Sequence, residues 1–199
     1  LPLMDGKDIF VRWMPYQDRI IGKTTTAPID MFNAQASLSG TFVVEPNVAT
    51  GNGTMDIERS KLLSNEFIYT ENTISSEKAE WNLKTKDGTS LAYESNDLKA
   101  FIDFTQRKGT FTSNSSDNIM RFPVNQYLAY ADQVVWNMDQ DNLAIATEKV
   151  HSFEDQRHAV LSTPTSLNPS GSLFISTHPR QDSLNFISPI AYIDLSQNI

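Results

Sequence analysis

Three histidines, one acidic loop and a handful of strand-borne carboxylates are the residues of this 199-residue chain best suited to chemistry. His151 and His158 stand seven apart, with Glu154 and Asp155 between them. On a helix, which the Pro- and Gly-free stretch 148–161 permits, His151, Asp155 and His158 share one side; on a strand the two imidazoles face opposite ways. A metal centre wants two or three imidazoles at short, set spacing plus a carboxylate, and the expectation here is no bound metal. His178, ahead of Pro179, reads as a polar corner. Asn137-x-Asp139-x-Asp141-Asn142, with Glu148 in the twelfth place, imitates a calcium loop. It lacks the acid of the first place and the glycine of the sixth, so it reads as a turn carrying solvated acids. Asp56, Glu58, Glu80, Asp103 and Asp132 lie in or beside strand-like runs. Two such acids about 5–10 Å apart across a cleft could hydrolyse a glycoside, but acids at alternate strand positions are also the wet face of any sheet. There is no Ser-His-Asp arrangement, no phosphate-binding glycine loop and no nucleotide fingerprint. No catalytic residue and no cofactor is assigned, and the chain reads as non-enzymatic.

The aromatic side chains are the other candidate equipment. Phe67, Tyr69, Trp81, Leu83, Ile102 and Phe104 fall at inward positions of successive strand-like runs. They could line an apolar groove that takes a ligand, or close on one another as an ordinary core. Sequence does not separate the two.

Those positions depend on a run of short elements across residues 52–122. Thr54–Ile57, Phe67–Tyr69, Ala79–Leu83, Leu91–Tyr93, Ala100–Phe104, Thr110–Thr112 and Ile119–Phe122 alternate in polarity and are parted by one to several polar or turn residues, the pattern of half-buried strands. Nothing between them is long enough for a crossover helix. A short helix is conceivable over Ala27–Leu38, although its apolar residues fit alternation better. Local phrases recur: Lys61 to Phe67, Leu91 to Phe101, Gly109 to Asn114 and Gly171 to Ser176 each combine an apolar strand with a Ser or Asn step. Their loose spacing of some 20–30 residues falls in the range of stacked coils or long rungs. Pro164, Pro169, Pro179 and Pro189 punctuate the last fifty residues and favour short strands there. The expected fold is all-β: an elongated stacked-strand architecture, either a folded-over β-jellyroll (a β-taco) or a β-helix-like solenoid, forming one domain over residues 1–199.

Composition narrows the partners. The chain holds 24 acidic against 16 basic residues, a net charge of -8, which disfavours a nucleic-acid backbone. It has no cysteine, so disulfides and thiolate-bound metals are excluded. No apolar run approaches the roughly 20 residues of a membrane-spanning helix. Leu1-Pro2-Leu3-Met4 has neither the basic leader nor the apolar core of a signal peptide. The chain is read as part of a longer polypeptide, or as one whose leader was removed.

Two resemblances supply a context. Gly53 to Ile57, Ile74 to Leu83 and Leu91 to Leu98 resemble the lipopolysaccharide-transport periplasmic (organic-solvent-tolerance) family, whose members are open β-jellyrolls that shield acyl chains. Phe101-Ile102-Asp103-Phe104, Gly109 to Asn114, Phe122 to Tyr127 and Ile175 to Leu184 are similar to segments of very large, uncharacterised envelope proteins of Bacteroidetes. The resemblances imply export to the periplasm, outer membrane or cell surface, and a scaffold or hydrophobic conduit. The partners they imply are lipid or lipopolysaccharide acyl chains, and neighbouring repeats or subunits end to end. A β-helical surface protein that binds or cleaves carbohydrate is the alternative.

Overall fold

The computed structural model describes residues 2–147 and 171–196. These residues form seventeen strands and a single 3-10 turn, Pro15–Gln17. The centre is an antiparallel meander of five long strands: β5 (Ala36–Glu45), β6 (Val48–Ile57), β7 (Ser60–Tyr69), β8 (Thr73–Lys84) and β9 (Leu91–Asp103).

Each long strand alternates buried and outward residues, but in β7, β8 and β9 the alternation skips a place halfway along. Ser60, Leu62 and Ser64 are buried, then Phe67 and Tyr69; Ile74 and Ser76, then Ala79, Trp81 and Leu83; Tyr93 and Ser95, then Leu98, Ala100 and Ile102. The ladders shift register at the same places, and β7 and β8 are unpaired between Ser64↔Ala79 and Ile68↔Ser75. An extra residue of this kind bends a strand. The aligned irregularities therefore crease the sheet across its strands, while both arms of each strand keep their apolar side chains inward. In β5 and β6 the crease falls at the pair Gly40↔Gly53. A Cβ on Gly40 would sit 1.9 Å from the Asn52 carbonyl oxygen, and Gly53 has φ +121, so only glycine fits there. In β7 and β8 the buried crease residues are serines: Ser64 and Ser76 share a 2.8 Å hydrogen bond, and Ser64 Oγ also donates to the Lys78 carbonyl at 2.8 Å. In β9, Ser95 Oγ donates across the crease to the Ile119 carbonyl.

Beyond the five long strands the crease becomes a break, and each rung is two short strands. On one side, β3 (Arg19–Thr24) pairs with the Thr41–Val44 arm of β5, and β4 (Ile29–Met31) with its Ala36–Leu38 arm. On the other, β10 (Lys108–Ser113) pairs with the last arm of β9, and β11 (Met120–Phe122) with its first. Two leaves result. The first holds β1 (Met4–Asp5), β4, one arm of each long strand, β11, β12 (Tyr127–Tyr130), β15 (Ser172–Ser176) and β16 (Asn185–Ser188). The second holds β2 (Ile9–Met14), β3, the other arms, β10, β13 (Gln133–Asn137), β14 (Asn142–Ala146) and β17 (Ile190–Asp194). The leaves face one another over a shared core. Trp81 of the first stacks on Phe111 of the second with ring centres 3.7 Å apart, and lies 5.7 Å from Trp136.

The protein is thus an elongated, multi-stranded all-β sheet, as its sequence pattern requires. Every pairing among the described residues is antiparallel, so successive rungs reverse direction instead of coiling round in parallel as a solenoid does. Several runs that look like separate strands in sequence are arms of one bent strand: Ala79–Leu83 lies in the last arm of β8, Leu91–Tyr93 opens β9, and Ala100–Phe104 runs from the last arm of β9 into the turn that follows. Residues 27–38, a conceivable helix, are strand, turn and strand, with Phe32, Asn33 and Ala34 all left-handed at φ 55, 56 and 61. Pro164 and Pro169 lie outside the described residues.

Candidate functional site

The six inward residues come together in the core. Phe67, Trp81, Leu83 and Ile102 are completely buried, and Tyr69 and Phe104 almost so. They sit on both leaves: Trp81 and Leu83 on the first, Phe67, Tyr69, Ile102 and Phe104 on the second. Trp81 is wedged among Phe111, Tyr93 and Trp136. Tyr69 packs on Phe67, and Phe104 stacks on Phe32 at 4.3 Å. Side chains fill the space between the leaves at these positions. The packing strands polar atoms: Tyr69 Oη and the indole nitrogens of Trp81 and Trp136 are buried and have no hydrogen-bond partner among the described residues. Each such atom costs about 1–3 kcal/mol in a dry core. Burial also pushes the Tyr69 and Tyr93 phenols well above the ordinary value of 10.0, because desolvation disfavours the charged phenolate.

The leaves meet along the side opposite the crease, and three acids whose type first suggested chemistry, Glu58, Asp139 and Asp141, help to join them. The β6–β7 turn of the first leaf offers Glu58 and Arg59. From the second leaf, the β9–β10 turn offers Arg107 and the β13–β14 turn offers Asp139 and Asp141. Arg107 donates to Glu58 and Asp139, and through Nη1 to Gln35 at 3.3 Å. Arg59 pairs with Asp141 through both terminal nitrogens. The two carboxylates hold the Arg107 guanidinium above its usual pKa, the hydrogen bond that Asp139 accepts contributing most. Phe32, on the β4–β5 turn, inserts between Tyr69 and Phe104 of the opposite leaf. Two arginines and one aromatic ring thus close the mouth of the folded sheet.

The calcium-like loop is the β13–β14 turn, and its acids are ion-paired to arginine, Asp139 while still largely exposed and Asp141 while mostly buried; Glu148, its twelfth place, lies outside the described residues. So do His151 and His158. His178 accepts a hydrogen bond from the Arg180 backbone N–H at 3.1 Å in the turn after β15. Asp56 pairs with Lys61 at 3.3 Å, and Asp103 accepts the backbone N–H groups of Thr105 and Gln106. Asp132 accepts from Thr147 Oγ1 at 2.5 Å. With Glu58 in the seam and Glu80 on the outer face, the five acids are spread over both leaves and the rim. Among the described residues no three His, Asp or Glu side chains are grouped to hold a metal ion.

One concavity lies on the outside of the crease. It measures about 540 Å³ and is lined by Leu63, Ser64, Asn65, Glu66, Glu77, Lys78, Ala79, Glu80, Asn96 and Asp97. Its lining is the set of extra residues that bend the strands, and Lys78–Asp97 (3.6 Å) and Lys99–Glu77 (2.7 Å) pair across it. No aromatic platform faces it.

Sequence reasoning missed the seam. Arg59 and Arg107 reach partners 82, 32 and 49 residues away, and no local pattern marks such pairs. Comparison with protein-family models, with curated proteins and with solved structures returns no match.

Proposed function

We propose that the protein is a structural module of an exported cell-envelope assembly: a folded-over stack of the β-jellyroll kind, joined end to end with neighbouring modules. The observation that carries this reading is where the exposed apolar side chains lie. Phe10, Val11, Trp13 and Tyr16 crowd the first rung, and Leu184, Phe186, Ile190 and Tyr192 the last, whereas the rungs between expose only Ile20, Leu63, Ile68 and Phe101 among the large apolar residues described. Stacked repeats need caps or neighbours at their ends, and apolar patches at both ends, with no polar cap among the described residues, fit a unit whose neighbours cover them. Envelope location rests on the resemblance to envelope and lipopolysaccharide-transport proteins. Sedimentation and small-angle scattering over a dilution series test the reading. Elongated particles that grow with concentration are expected; a compact monomer at every concentration overturns it.

A hydrophobic conduit is the second reading, favoured by the stranded polar atoms of Tyr69, Trp81 and Trp136. A core built only to stay shut rarely tolerates such groups. In this reading the seam parts and Phe67, Tyr69, Trp81, Leu83, Ile102 and Phe104 meet acyl chains of lipid or lipopolysaccharide. Native mass spectrometry of gently purified protein would show retained lipid; lipid-free protein that still binds none after exposure to lipopolysaccharide micelles overturns it.

A further inference from the structure

The stacking reading leaves open which end meets which, and strand direction answers it. The first rung runs from β1 in the first leaf to β2 in the second; the last runs from β16 in the first leaf to β17 in the second. First and last rungs therefore point the same way. Joining the last rung of one copy to the first of the next would create a parallel ladder inside a sheet whose described pairings are all antiparallel. Joining first rung to first rung about a two-fold axis continues the antiparallel ladder.

We infer that the partner at the β2 edge is a second copy of this chain, docked head to head about a two-fold axis through Val11. Among the described residues β2 pairs with β3 alone, on one side. It is the most apolar exposed strand among the described residues, with Phe10 63% and Trp13 69% exposed. A bare edge of this kind is a template for another strand. A two-fold axis perpendicular to the sheet keeps each leaf's inner face inner, so residues of equal parity must lie opposite one another. Two such registers preserve a five-residue ladder within Ile9–Met14. The one centred on Arg12 sets two guanidinium groups directly opposite, which is repulsive. The one centred on Val11 sets Val11 against Val11 and Ile9 against Trp13 on the inner face, and Phe10 against Arg12 on the outer face, a cation–π pair. Charge therefore selects the Val11 register. A two-fold contact of this type is isologous and closes at two copies, whereas head-to-tail contacts would run on into fibres.

The inference rests on the end-to-end reading, and single cysteines separate the two, since the chain has no cysteine of its own. Val11→Cys and Tyr192→Cys proteins, each checked for native circular dichroism, are oxidised alone and as a mixture. The expected result is a disulfide-linked homodimer of Val11→Cys, no linked Tyr192→Cys, and no mixed species. Wild-type protein should show a mass near twice 22.4 kDa that falls to the monomer on dilution, and Val11→Lys, which opposes two ammonium groups across the axis, should stay monomeric. Mixed Val11–Tyr192 dimers, or linked Tyr192→Cys alone, overturn the head-to-head assignment and leave end-to-end stacking standing. A monomer throughout, with no linked species, overturns both.

Discussion

Replacing Trp81 decides whether the space between the leaves is a core or a groove. Trp81 is completely buried and touches three rings, Phe111 at 3.7 Å, Tyr93 at 4.7 Å and Trp136 at 5.7 Å. Truncating a buried large aromatic to alanine costs about 3–5 kcal/mol through lost transfer energy and the cavity left behind, and ring contacts of this geometry add about 0.5–1.5 kcal/mol each. Working against this, the stranded indole N–H leaves with the ring, returning about 1–3 kcal/mol. The net expectation for Trp81→Ala is a loss of about 4 kcal/mol, a large part of the roughly 5–15 kcal/mol that holds a typical domain. Trp81→Phe keeps a ring to stack on Phe111 and discards the unpaired N–H, so it should cost less than half as much. Urea unfolding followed by far-ultraviolet circular dichroism measures both, free of the change in tryptophan fluorescence. A loss below about 1.5 kcal/mol for Trp81→Ala would refute the reasoning, because it is the small cost expected of a side chain lining open space and not one filling a core.

Three further outcomes follow from the crease, the interior and the seam. Ser64→Ala removes a hydroxyl bonded to Ser76 Oγ and to the Glu66 and Lys78 carbonyls, and should lower stability by about 1–3 kcal/mol with an unchanged urea slope. Burial holds the Tyr69 and Tyr93 phenols neutral in the folded state, with pKa values raised above the unfolded 10. Their contribution is therefore complete below about pH 10 and is lost as pH rises beyond it, at about 1.4 kcal/mol per pH unit for each phenol. Tyr69→Phe should be neutral or stabilising at pH 7, because it deletes an unpaired hydroxyl, and should remove one phenol's share of the alkaline slope in urea titrations at successive pH values. Arg107→Ala breaks the ties to Glu58 and Asp139, which are partly solvated at the rim. Its cost should be about 1 kcal/mol and should shrink in high salt; a salt-independent loss would show that the charges are not what joins the leaves there.

Alternation of polarity made the all-β class and most strand positions legible, and it also hid the main feature of the fold. Between Leu62 and Phe67, Ile74 and Ala79, and Tyr93 and Leu98, the period of two slips by one residue, and a slip reads locally as the end of one strand and the start of another. The recurring Ser or Asn step in those phrases is the physical cause. Ser64, Ser76 and Ser95 are the inward residues at the corner, where their hydroxyls satisfy backbone groups freed by the bend. Repetition of the phrase therefore reports a repeated corner, once per strand in alternating direction, and not a repeated coil.

The candidate site divides along a different line. Inward aromatics were legible because burial follows the local period, so Trp81 and Phe104 could be assigned to the interior from their neighbours. Their closure on partners from the facing leaf could not, since Phe111, Trp136 and Phe32 belong to other rungs. The acids show the converse. Glu58, Asp139 and Asp141 stand at turns, where a charge in isolation is solvated and a pair in a cleft is catalytic; which of these holds depends on what the opposite leaf presents. The fold presents Arg59 and Arg107. Each carboxylate has a guanidinium beside it, which occupies oxygens that a general acid or base would use. Glu58, Asp139 and Asp141 are thereby committed to holding the leaves together, and among the described residues most of the exposed large apolar side chains lie at the two ends of the stack.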